Sequence, residues 1–298
     1  MYLPRGDYMT SSTSRRSVVH PIAFDLELLA ARLKRAQDHY LSFGRIWAEY
    51  LDTRPHKLSS VNEAGGVVVV RLRRLKPLPI ELSIVLGELL YELRSALDNC
   101  LYAVAVLVSG QNPPPNAGRL EWPIRITADE WKNQAKRYQD LPPLIVECLE
   151  RIQPYNAQAP SWNSLAILHE LARIDRHRSP HGLGLYVVEK HLAVDQAVVE
   201  VVNHGDPGIV EDGAELVRLV LADGSVLSPD NFDLDLEFEV EETQVKSGTG
   251  PNGSFGRPWG SLNQRLNSLV KAVDEYTEGL LNIAADYVVQ QGAAGSQA

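Results

Sequence analysis

Apolar residues fall at Ile22, Leu26, Leu29, Leu33, Ala36, Tyr40, Phe43, Trp47 and Tyr50. These alternating steps of four and three keep one seam on one side of a helix. The same spacing returns at Leu262, Leu266, Leu269, Val273, Tyr276, Leu280, Ile283 and Tyr287. Two long heptad helices therefore bracket the chain, each needing a partner, either in a bundle or across a homodimer. A third helix is predicted from Pro77 and Pro79 to about Val108, with Leu82, Leu86, Leu89, Leu93, Ala96, Leu97, Cys100 and Val104 on its apolar face. Shorter helices follow: one opened by a capping box from Thr127 to Glu130, one from Pro142-Pro143 through Ile152, and one capped by Ser161 and running to about His177.

The period changes to two in other parts of the chain. His56–Asn62 and Val67–Leu75 flank Glu63-Ala64-Gly65-Gly66 and read as a hairpin. Beyond Pro180 and Gly182, the β-branched runs Leu185–Val194, Ala197–Asn203, Glu215–Ala222 and Phe232–Gln244 predict a four-stranded antiparallel meander. On the last strand Leu234, Leu236, Phe238 and Val240 face one way, and Asp233, Asp235, Glu237, Glu239 and Glu241 face the other, a solvent side that protects an edge. Because βα alternation is absent, the expected class is α+β. The boundaries predicted are a tail over 1–20, a helical bundle over 21–182 with 257–290 that includes the hairpin 56–75, a sheet over 183–245, a linker over 246–257 and a tail over 291–298.

Composition narrows the partners. The chain has 298 residues and a net charge of −9, which disfavours a surface that attracts phosphate everywhere. Seven of the 38 acids, however, lie between Asp230 and Glu242, and the remaining 31 nearly balance 29 Lys and Arg, so a local basic site stays open. Cys100 and Cys148 sit in apolar helical patterns and suit a reducing compartment, which makes the cytoplasm the expected location. The apolar run Cys100–Val108 is too short to span a bilayer, and the Arg- and Ser-rich start lacks a secretory apolar core, so no membrane partner is expected.

Charges placed on apolar arcs mark the candidate chemistry. At 100° per residue Asp175 falls in the buried arc set by Leu165, Leu168, Leu171 and Ala172, as does Arg178 if the last turn continues. Arg94 sits at the edge of the apolar arc of its helix, one turn before Asp98. The pattern predicts a partly buried cluster of Arg94, Asp98, Asp175, His177 and Arg178, with Asp175 its most deeply buried member. His169, Arg173 and His177 form one stripe at i, i+4 and i+8, flanked by Arg176 and His181, a surface for RNA or a small anionic ligand. Histidines two turns apart do not share a metal ion, so no metal site is expected. Gly248, Gly250 and Gly253 match G-x-G-x-x-G, but the preceding strand is half acidic and the helix starts only near Pro258. The segment reads as a linker, and no cofactor is implied.

The segments Gly87-Glu-Leu-Leu-Tyr-Glu-Leu-Arg-Ser-Ala-Leu-Asp98 and Leu168-His-Glu-Leu-Ala-Arg-Ile-Asp-Arg-His-Arg178 resemble the paired LRSALDH and IDKHR signatures of an uncharacterised group of bacterial proteins. The first also resembles, weakly, the R-x4-6-H motif of HEPN helical ribonucleases, in which Arg and His cleave RNA without metal; Asn99 stands where that His would be. Asn neither takes nor gives a proton at neutral pH, so a non-catalytic regulatory or interaction protein is the first expectation. The alternative is a HEPN-like ribonuclease or nucleotide-binding enzyme using Arg176, His177 and His181, with Arg94 and Asp98 positioning them.

Overall fold

The computed structural model describes residues 17–177, 181–192, 198–203, 208–222, 232–240, 257 and 259–295. Within them lie six α-helices: α1 (Ala23–Asp52), α2 (Ile80–Ser109), α3 (Ala128–Gln134), α4 (Pro143–Arg151), α5 (Ser164–His177) and α6 (Leu262–Gly295). The strands are β1 (His56–Asn62), β2 (Val67–Arg74), β3 (Leu183–Leu192), β4 (Val198–Asn203), β5 (Gly208–Val210), β6 (Glu215–Leu221) and β7 (Phe232–Val240). The class is α+β. Two compact units divide the chain: one takes residues 1–42, 85–180 and 243–298, the other 43–84 and 181–242.

In the first unit α2 is the central helix. Leu86, Leu89, Leu90, Leu93, Ala96, Leu97, Cys100, Leu101, Ala103 and Val104 are all fully buried, an arc too wide for a helix with one wet face. The heptad seams are buried within the single chain, at Leu29, Leu33 and Ala36 on α1 and at Leu262, Leu266, Leu269, Val273 and Leu280 on α6. Polar contacts show the neighbours. Arg32 of α1 donates to Glu92 of α2 at 2.8 Å, Tyr40 of α1 bonds Asn263 of α6, and the Cys100 thiol of α2 reaches the Thr277 carbonyl of α6 at 3.5 Å. Helix α2 meets α5 at Gly87, where a β-carbon would lie 2.7 Å from an Asp175 carboxylate oxygen.

In the second unit the strands form two antiparallel sheets, ordered β1-β2-β6-β4 and β5-β3-β7. The predicted meander is corrected here: β3 pairs with β7 and β5, β4 pairs with β6, and the short β5 lies between two of the predicted strands. Nor does the hairpin belong with the helices. Val67↔Val220 and Val70↔Val217 put β2 in the middle of a sheet. The reason lies in its four consecutive valines: Val68, Val69 and Val70 are buried one after another, as in a strand covered on both faces. An isolated two-stranded ribbon could not cover them. One apolar cluster joins Val68, Val70 and Leu72 to Val217, Leu219 and Leu221 of β6 and to Leu185 and Val187 of β3.

Smaller differences sit at the boundaries. Residues 17–19 are helical, inside the expected tail, and α6 continues through Gly295, past the expected end at 290. Asn163, not Ser161, caps α5, its side-chain oxygen accepting from the Leu165 amide at 2.9 Å. The Thr127–Glu130 capping box is present as expected. Glu239 is fully buried, so the acidic side of β7 is not wholly a solvent face. The tail over 1–16 and most of the linker over 246–257 lie outside the described residues.

Candidate functional site

Arg94 and Asp98 stand one turn apart on α2 and face the segment Leu120–Ile126, which is neither helix nor strand. Trp122, Pro123 and Ile124 are buried in succession, Glu121 and Arg125 are half-buried, and Ile126 is exposed. Side chains clamp the backbone of this segment. The Trp122 amide donates to Asp98 Oδ1 at 2.7 Å and its carbonyl accepts from Arg94 Nη2 at 2.8 Å. The buried Gln153 accepts from the Arg125 amide at 2.8 Å and donates to the Pro123 carbonyl at 3.1 Å, and the Tyr138 hydroxyl donates to the Glu121 carbonyl at 2.9 Å.

This clamp holds Glu121 between two guanidiniums. One carboxylate oxygen accepts from Arg94 Nη2 at 3.0 Å, and the other lies 3.6 Å from Arg137 Nη1. Arg94 is only 4% exposed and shares that same nitrogen with Asp98 at 3.2 Å, while its Nη1 is buried with no hydrogen-bond partner. Glu121 and Arg137, with Gly118, Arg119 and Leu120, line a cleft of about 510 Å³. Tyr138 behind it feels Arg94, Arg125, Arg137 and Glu121, and burial pushes its phenol up to about 12, so it serves as a donor.

His169 on α5 adjoins this cluster. Burial, then the positive charges of Arg94 and Arg125, lower its pKa, which keeps the ring neutral at pH 7, and its Nδ1 is buried without a hydrogen-bond partner. The Asn99 amide nitrogen is likewise buried and unpartnered.

The structure thus gathers Arg94, Asp98 and His169 of the residues singled out by pattern. Arg173 is drawn off, because its guanidinium grips Glu170 in a bidentate pair at 2.7 and 3.0 Å. Asp175 is half-buried and packs against Gly87. His181 is fully buried just ahead of β3. Arg178 and the side chains of Arg176 and His177 lie outside the described residues. Glu121, Arg125, Arg137, Tyr138 and Gln153 were not marked by helical phase; the period-two alternation of Leu120–Ile126 was the signal that could have found the segment.

Among the described residues no cluster of His, Cys, Asp and Glu could hold a metal ion, and no helix is long and apolar enough to cross a membrane. No family model, curated protein or solved structure matches this chain.

Proposed function

We propose that this chain is a regulatory or ligand-binding protein that takes up a small anion, phosphate- or carboxylate-bearing, in the cleft of Arg119, Glu121 and Arg137. The observation that carries this reading is the buried Arg94 directly behind that cleft. Arg94, Arg119, Arg125 and Arg137 outnumber Asp98 and Glu121, so the site is locally positive in an acidic chain. Fixed guanidiniums recognise planar and tetrahedral oxyanions by paired hydrogen bonds. Calorimetric titration of the full chain with inorganic pyrophosphate tests it: binding is expected, and an Arg119→Ala, Arg137→Ala double variant should lose it. Equal binding by the folded double variant sinks the reading.

His169 favours a second reading, metal-independent ribonuclease chemistry of the HEPN kind. A neutral imidazole beside Arg94 could move protons where Asn99 cannot. Cleavage of a mixed RNA pool in EDTA, lost in a folded His169→Ala variant, would select it; an intact pool rejects it.

A further inference from the structure

We infer that Glu121 is a built-in competitor for the anion: the incoming ligand displaces its carboxylate from Arg137. This deepens the anion-site reading and rests on it. Glu121 is itself a two-oxygen anion seated where two guanidiniums converge, and its two arms are unequal. The Arg94 arm is a 3.0 Å hydrogen bond to a buried side chain. The Arg137 arm spans 3.6 Å, beyond hydrogen-bond length, between groups that are 42% and 45% exposed. An exposed, loose ion pair of this kind costs little to break. Arg137 is therefore the guanidinium that can change partners, and the open side of the cleft, with Arg119 on its wall, is the way in.

The geometry also defines the ligand class. Whatever replaces a carboxylate on Arg137 must outweigh the repulsion from Glu121, which stays anchored on Arg94 nearby. A group carrying two negative charges, such as a phosphate monoester, pyrophosphate or a dicarboxylate, meets that demand, because Arg119 and Arg137 together offer two positive charges. A monocarboxylate such as acetate does not.

The test is calorimetry of the full chain with inorganic pyrophosphate and with acetate, on wild type and Glu121→Gln. Gln keeps a carbonyl oxygen for Arg94 and removes the charge that holds Arg137. Glu121→Gln should bind pyrophosphate roughly three- to tenfold more tightly, the scale of one partly exposed charge contact. In wild type, pyrophosphate should shift the Arg137 Nε–Hε resonance and leave that of Arg94 in place, a readout that stands even if the variant folds poorly. Pyrophosphate binding that Glu121→Gln leaves equal or weakens, acetate binding as tight as pyrophosphate, or movement of the Arg94 resonance overturns the displacement while the anion site survives. No binding by either protein overturns both, and binding by Glu121→Gln alone supports the displacement in its strongest form.

Discussion

Asp98 and Asp175 separate two ways in which a carboxylate can sit on a helix. Asp98 accepts from the Trp122 amide and pairs with Arg94, so its loss strands a backbone donor and removes a partner from a buried guanidinium. Asp98→Ala should cost about 2–3 kcal/mol in urea melts. Asp175, which forms no hydrogen bond or ion pair with another described residue, should cost about 1 kcal/mol or less when changed to Ala. Helical phase alone suggested the opposite order, because it gives the direction of a side chain but not its partner; equal losses would remove the distinction. His169 carries a pH signature. Its pKa in the fold lies below the ordinary 6.5, so the unfolded chain binds more protons as pH falls below that value. Stability is full above about 6.5 and declines as pH drops toward the folded pKa. His56, half-buried at the start of β1, acts in the same direction, so His169→Gln should flatten part of the decline between pH 6.5 and 5. An unchanged slope would show that the imidazole protonates freely in the fold.

At the level of elements, Gly87 is where α2 meets the Asp175 side chain of α5. In an ordinary mid-helix position Ala is better than Gly by about 1 kcal/mol. Here the added methyl meets the Asp175 carboxylate, which must rotate away, so Gly87→Ala should gain less stability in the wild type than in an Asp175→Ala background. A double-mutant cycle by denaturant melts reads the difference; additive effects would show that the carboxylate does not meet the methyl. Both residues lie in the paired segments singled out by sequence, but their contact was not legible there. Heptads report which side of a helix is apolar, and Leu33, Phe43, Leu266 and Leu269 are buried as that spacing requires. They carry no information on which small residue faces which neighbour. The Leu120–Ile126 segment was missed for a related reason: it belongs to neither a helix nor a sheet, and the side chains that hold it, Arg94, Asp98, Tyr138 and Gln153, are scattered along the sequence. The capping box at Thr127 was legible because donor and acceptor are three residues apart.

For the whole molecule, the heptad seams are satisfied inside one chain. Leu269, fully buried on α6, should therefore cost about 2–5 kcal/mol when cut to Ala, by an amount independent of protein concentration. Melts at several concentrations check this, and a midpoint that rises with concentration would place the seam between copies. The strand pairings were the least legible part of the fold. Each strand is marked locally by alternation or by a run of valines, whereas the choice of neighbour between β2 and β6 is settled only by which edges are left to cover. That pairing also sets a schedule for synthesis. The hairpin emerges early, yet the strand that covers its inner edge is made about 140 residues later. At translation speeds of about 5–20 residues per second, the valine edge of β2 waits roughly 7–28 seconds for its partner. For that interval the nascent chain presents an apolar, hydrogen-bond-hungry strand to its surroundings, so the period of greatest exposure to misassembly comes before the last quarter of the protein exists.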